Sequence, residues 1–377
     1  SDIEEVIDSL GGNFSTDTFP DYIVFTFSFL EEYLDQALEL LSDMILNPSF
    51  SRNEIVNLQR SMFYDMARKR VDPETSGRKL LFQLLFKDHP YQKYVFNDDV
   101  IKNYSQRDVR DFFQKCFLPN NALLVLVGNL NLETATRKVS HHLNTWKKAS
   151  LPIEQISSPE PEQNLKICFL HNQQMKDASI YMGTYLPAKT SPDYFSLTVL
   201  NQALGGSSLS RLFMNLRESK RYAYWAYSHM EFFQSCGVFY VRALVKTEVV
   251  YASVQEAFKE INNITGLRLP ARELEQAKST LIGNFPLSLE TYEDLSSRIS
   301  EIEALNLGEQ HWTKYYDNIM FIDSQAVYES ARRHSLQPLI IVIVGNSSVL
   351  EHLREFEDVE VYDHQGEFQY RIKGELE

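Results

Sequence analysis

The sequence predicts an α+β protein made of two homologous domains, each an antiparallel-rich sheet packed with helices. Three observations lead there. The chain has 377 residues, more than one compact core usually holds. Period-2 apolar runs alternate with period-3.6 runs in both halves. The halves also repeat one another at a nearly fixed offset. Glu54 and Glu273 stand 219 positions apart in matching contexts, and the tripeptides "VGN" at 127–129 and 344–346 stand 217 apart. Two copies are too few for a solenoid, so the repeat reads as a duplicated domain.

The elements follow in order. "SDIEEVIDSLGG" places Ile3, Val6, Ile7 and Leu10 at helical spacing, and Gly11-Gly12 closes the helix. The run 22–30 reads as a strand, and 32–45 and 51–70 read as helices. A helix at 105–117 and a strand at 122–129 close the first half. The segment 145–164 is rich in Pro, Ser and Glu and lacks periodicity, which marks a linker. The expected division is a first domain at 1–146, a linker at 147–164 and a second domain at 165–377. The second half repeats the pattern, with strands at 238–245 and 339–346 and helices at 250–264, 269–285 and 323–334. About 55 residues (163–217) precede its copy of the opening helix and have no counterpart in the first half. The first domain is therefore expected to lack its initial strands, a shorter natural version of the domain being the alternative.

Composition narrows the function classes. The formal net charge of -14 argues against nucleic-acid partners and against docking on anionic lipid. No apolar run reaches the length of a membrane-spanning helix. Cys116, Cys168 and Cys236 form neither a CxxC pair nor a disulfide framework, and read as buried or partly buried thiols. They leave the compartment open.

Residue chemistry alone singles out no active site. None of the nine histidines sits in HExxH, HxxEH or HxxxH spacing. His141 and His142 are adjacent on a predicted helix and point in different directions, so they would not share an ion. "GGSSLSR" (205–211) is neither GxSxG nor a P-loop. It reads as a glycine turn before a helix capped by Ser207 or Ser208. "LRESKRYAYWAYSH" (216–229) crowds cations against aromatic rings. Taken alone, its Arg217 is a surface ion pair with Glu218 or Glu231, and its Tyr224 is a core ring.

The ordered set of motifs says more. "SPDYFSLTVLNQALGGSSLSRLFMNLRESKRYAYWAYS" (191–228) resembles the second-domain signature of the insulinase/pitrilysin-type zinc metallopeptidases. That signature has a helix, LGG, SSRL, LRE, and a Tyr seven residues after the Arg, here Arg217 and Tyr224. "GGNFSTDTFPDY", "NPSFSRNEI", "DHPY" and "FLPNNALLVLVGN" resemble the first domain, so the likeness covers nearly the whole chain. It implies two domains facing each other as a clamshell and zinc-dependent peptide cleavage. In the family, an HxxEH helix supplies two histidines and the water-activating Glu, and a later helix adds a third ligand. The resemblance further implies that a sheet edge at 12–17, including Asn13 and Phe14, pairs with an extended peptide, while Arg217 and Tyr224 contact it near the scissile carbonyl.

Besides the HxxEH segment, four positions depart from the family pattern around its metal and substrate site. No HxxEH occurs, and the spacing places it before Ser1. The third-ligand position holds Asp65 in place of Glu, and an acidic position seven residues earlier is Leu58. A small Ala after Asn13 is Phe14, and a Gly before the second-domain Tyr is Arg221. The expected function is therefore a peptide-binding, non-catalytic subunit or homologue of a zinc endopeptidase, paired as a homo- or heterodimer with a catalytic relative and binding no zinc itself. One alternative is an active endopeptidase with HxxEH upstream and Asp65 as third ligand. Another is a purely structural subunit.

Overall fold

The computed structural model describes residues 2–94, 101, 103–151, 156–159 and 164–374. Residues 152–155 and 160–163 of the expected linker lie outside the described residues. In chain order the main elements are α1 (Asp2–Ser9), β1 (Asn13–Thr18), β2 (Ile23–Ser28), α2 (Leu34–Leu46), α3 (Arg52–Val71), α4 (Pro73–Leu85), α5 (Gln106–Cys116) and α6 (Leu132–Leu143). Then come β3 (Lys166–His171), β4 (Ala178–Leu186), α7 (Tyr194–Gly205), a π-helical turn (Phe213–Ser219), β5 (Ala223–Phe232) and β6 (Gly237–Val245). After these follow α8 (Val250–Gly266), α9 (Ala271–Asn284), α10 (Tyr292–Ala304), α11 (Ser324–Arg333), β7 (Ile340–Gly345), β8 (Asp358–Tyr362) and β9 (Phe368–Lys373). The chain is thus mixed in helix and strand, as its periodicities predict.

Local chemistry sets several boundaries. Asp72 caps α4 by accepting from the Thr75 N–H, with Pro73 in the first turn where its missing N–H costs nothing. Ser105 and Asp108 form a reciprocal capping box at the start of α5. Gly11, at φ 60°, ends α1, and the Gly12 N–H returns to the Ile7 carbonyl at 3.0 Å.

By contact the chain forms two compact units, which interleave along the sequence. The first comprises Ser1–Phe63, Asn97–Gln155 and Phe285–Glu309. The second comprises Tyr64–Phe96, Ile156–Asn284 and Gln310–Glu377. Each unit therefore takes in a helical segment from the other half of the sequence: α4 belongs to the second unit and α10 to the first.

In the first unit, β1 and β2 form an antiparallel hairpin from Asn13↔Ser28 to Thr18↔Ile23. The expected strand at 122–129 forms no ladder among the described residues; Leu123 and Leu124 are exposed. Its repeat-mate β7 explains why. β7 is held on one side by β3 and on the other by β4. Both partners lie in the segment that the first half does not repeat, and an apolar run without a neighbouring strand gains no ladder hydrogen bonds.

The second unit contains a seven-stranded mixed sheet in the order β5-β6-β4-β7-β3-β8-β9. β3 runs parallel to β7 and β8, and the other four pairings are antiparallel. All six residues of β7 are buried, as expected of a central strand covered on both faces. One face packs α4, whose Leu80, Leu81, Phe82, Leu85 and Phe86 join Tyr181, Val342 and Val344 in a single core. Each such side chain contributes about 1.5–3 kcal/mol of burial free energy. Against the same sheet, α7 packs on β5, while α8 meets β4 and β6.

Candidate functional site

Two packing details position the "LRES" segment. Gly205 ends α7 beside β5: a Cβ there would lie 2.2 Å from the Ser228 backbone N, so only glycine permits the approach. The π-helical turn 213–219 is then pinned on α8 by Asn215, whose side-chain amide donates to Glu256 at 2.9 Å and Glu260 at 2.6 Å. Lys220 adds an ion pair to Glu256 at 3.1 Å. Single π-helical turns occur often at functional sites.

Arg217 lies on this turn, its side chain 49% exposed. Its guanidinium sits over the Phe213 ring at 4.8 Å and meets Glu218 at 3.7 Å. Both contacts are local and leave much of the guanidinium in solvent. Tyr224 begins β5, an edge strand of the sheet. The ladder with β6 slips between Ala223 and Trp225, so Tyr224 is the bulged residue. Bulges re-aim a side chain, and Tyr224 is 49% exposed, not the core ring that the residue pattern alone suggests. Its hydroxyl donates to Asp177, and that carboxylate raises the phenol pKa. Asp177 escapes sequence reasoning because 47 positions separate it from Tyr224; they come together because Ala178 and Ala223 both pair with Val245.

Between Arg217 and Tyr224 the chain passes through Arg221 at φ 59°. The Tyr222 N–H returns to the Leu216 carbonyl at 2.9 Å, so Arg221 occupies the left-handed position that closes a helix, where glycine is the default.

Asn13 and Phe14 belong to the first unit, on β1. Asn13 is exposed. Phe14 is half-buried: its ring packs on Phe27 directly across the hairpin at 4.8 Å and on Phe25 at 6.2 Å. The row continues from Phe25 through Phe117, Phe113 and Phe50, so Phe25 ties the hairpin to α5 and Phe14 packs behind it. One edge of β1 is paired with β2 alone in a two-stranded sheet.

Asp65 lies on α3, exposed, with Leu58 two turns earlier also exposed. No cluster of three His, Cys, Asp or Glu side chains capable of holding a metal ion occurs among the described residues. His229 is engaged otherwise: Arg242 Nε donates to its Nε2 at 2.8 Å, and burial lowers its pKa, keeping the ring neutral.

A family model described as "Insulinase (Peptidase family M16)" matches residues 1–99, and one described as "Peptidase M16 inactive domain" matches residues 103–281. A Streptomyces coelicolor protein called an uncharacterized zinc protease is 26% identical over 315 residues, covering 82% of this chain and 68% of its own length. A Helicobacter pylori relative called a non-peptidase homolog is 24% identical over 288 residues, covering 76% of this chain and 65% of its own. The crystal structure of a peptidase M16 inactive domain from Pseudomonas fluorescens matches the fold with a TM-score of 0.84 at 19% identity, covering 92% of this chain and 84% of that one. The two models of this one family together match most of the chain, residues 1–99 and 103–281, and the chain belongs to the insulinase-type M16 peptidase family.

Proposed function

We propose that this chain binds extended peptides and acts as the non-catalytic member of a zinc-dependent endopeptidase assembly, as a homo- or heterodimer with a catalytic relative. The observation that carries the reading is the pair Arg217 and Tyr224. Both are half exposed, on one turn and the start of one edge strand, with the turn pinned on α8 and the tyrosine turned out by a bulge. A guanidinium and a phenol in that arrangement suit the carbonyls and N–H groups of an extended backbone. The names of the M16 inactive-domain neighbour and the H. pylori non-peptidase relative support the non-catalytic part.

Fluorescence anisotropy with labelled, unstructured peptides tests the reading. Arg217→Ala should weaken binding about tenfold, the magnitude of one lost charge-assisted hydrogen bond, and Tyr224→Phe by less. Equal affinity for wild type and both variants would remove these residues from the site. Cleavage of the same peptides by the chain with zinc and no partner would favour the endopeptidase reading that the "zinc protease" relative suggests.

A further inference from the structure

We propose that Arg221 is a specificity-determining contact of the same peptide site, selecting peptides with an acidic side chain at one fixed position. The inference rests on the peptide-binding reading above. Two independent observations meet at this residue. Its backbone is left-handed, at φ 59°, where an L side chain is strained and glycine is not. A non-glycine residue held there in strain is characteristic of sites where the side chain is needed. Its guanidinium is also uncommitted. Of its neighbours, Lys220 is paired with Glu256, and Arg217 is already assigned to the peptide by the reading above. Arg221 is exposed and forms no ion pair among the described residues. It stands four residues after Arg217 and three before Tyr224, on the loop that joins them. A peptide held by that pair would run beside the loop that carries this arginine, whose planar fork suits a carboxylate.

The net charge of -14 works against acidic ligands at long range, so any preference for a carboxylate has to be local and positional. This makes the test sharp. A set of labelled peptides of one composition and one net charge, with a single aspartate moved along the sequence, is titrated by anisotropy against the full chain. For wild type, one aspartate position should bind about fivefold tighter than the others, the upper range for an exposed ion pair. That ratio should collapse towards one in 0.5 M salt and in both Arg221→Gly and Arg221→Gln. Arg221→Gly also relieves the strain, so its melting temperature should rise by about 2 °C, which separates loss of the contact from loss of fold. Arg221→Glu should move the preference to a lysine at the same position. Retention of the aspartate ratio in Arg221→Gly, or no positional preference in wild type, would overturn the assignment while leaving peptide binding intact. Failure of wild type to bind any of the peptides would overturn both.

Discussion

At Asp193 one carboxylate gathers three partners. Arg333 donates through Nε at 3.0 Å, Ser330 Oγ at 2.7 Å, and His334 Nε2 lies at 2.7 Å. The Arg333 guanidinium, followed by these hydrogen bonds, holds the carboxyl well below the usual carboxylate range. Asp193 is buried at the start of α7, and its partners close α11. With the folded pKa depressed, the contribution is present above the unfolded carboxyl pKa near 4 and is lost as pH falls below it. Asp193→Asn should cost about 2 kcal/mol at pH 7 and flatten the acid limb of stability against pH below about 4. Urea unfolding at a series of pH values reads both. An acid limb identical to wild type would show that another group controls it.

Among elements, α4 shows how sequence division and folded contact part company. Its apolar side chains fill one face of the seven-stranded sheet, and Arg78 reaches across to Glu231, with Tyr240 donating to the same carboxylate at 2.8 Å. Gly77 lets the helix lie close to the strands. A Cβ there would meet Tyr181 Cε2 at 2.3 Å and Val344 Cγ2 at 2.9 Å, while the Tyr181 hydroxyl donates to the Glu74 carbonyl at 3.0 Å. Alanine is the better helix former by about 1 kcal/mol, yet overpacking costs about 1–3 kcal/mol. Gly77→Ala should therefore lower the urea midpoint, and a raised midpoint would mean the helix can lift off the sheet without penalty. Its Asp72-Pro73 start is a local helix signal, yet the elements expected from the sequence include no helix at 73–85. Its place in the second unit was not legible either, because a helical period states that one face is buried and not which sheet buries it.

For the whole molecule, family membership and the metal question bear on one another. The chain carries both matched domains of the M16 family, and no helix among the described residues is long and apolar enough to cross a membrane. Relatives of this family are called zinc proteases, and no cluster of three metal-binding side chains occurs among the described residues. The chain should take up less than one zinc per molecule after equilibrium dialysis, in wild type and in Asp65→Ala alike. Stoichiometric zinc in wild type that disappears in Asp65→Ala would restore the endopeptidase reading.

The sequence by itself determined the duplication, the mixed helix-and-strand character, about half of the main element positions and the family, because periodicity, caps and ordered motifs are local signals. It also singled out Arg217, Tyr224 and Arg221. Tertiary structure alone decided that Tyr224 faces outward on a bulge beside Asp177, that Phe14 joins an aromatic row, and that Arg221 is left-handed. It also decided that 122–129 makes no strand and that α4 and α10 change units. Each of these depends on a partner distant in the chain: a strand needs a neighbour to bond, a ring needs a surface to pack on, and neither is written in the residues beside it.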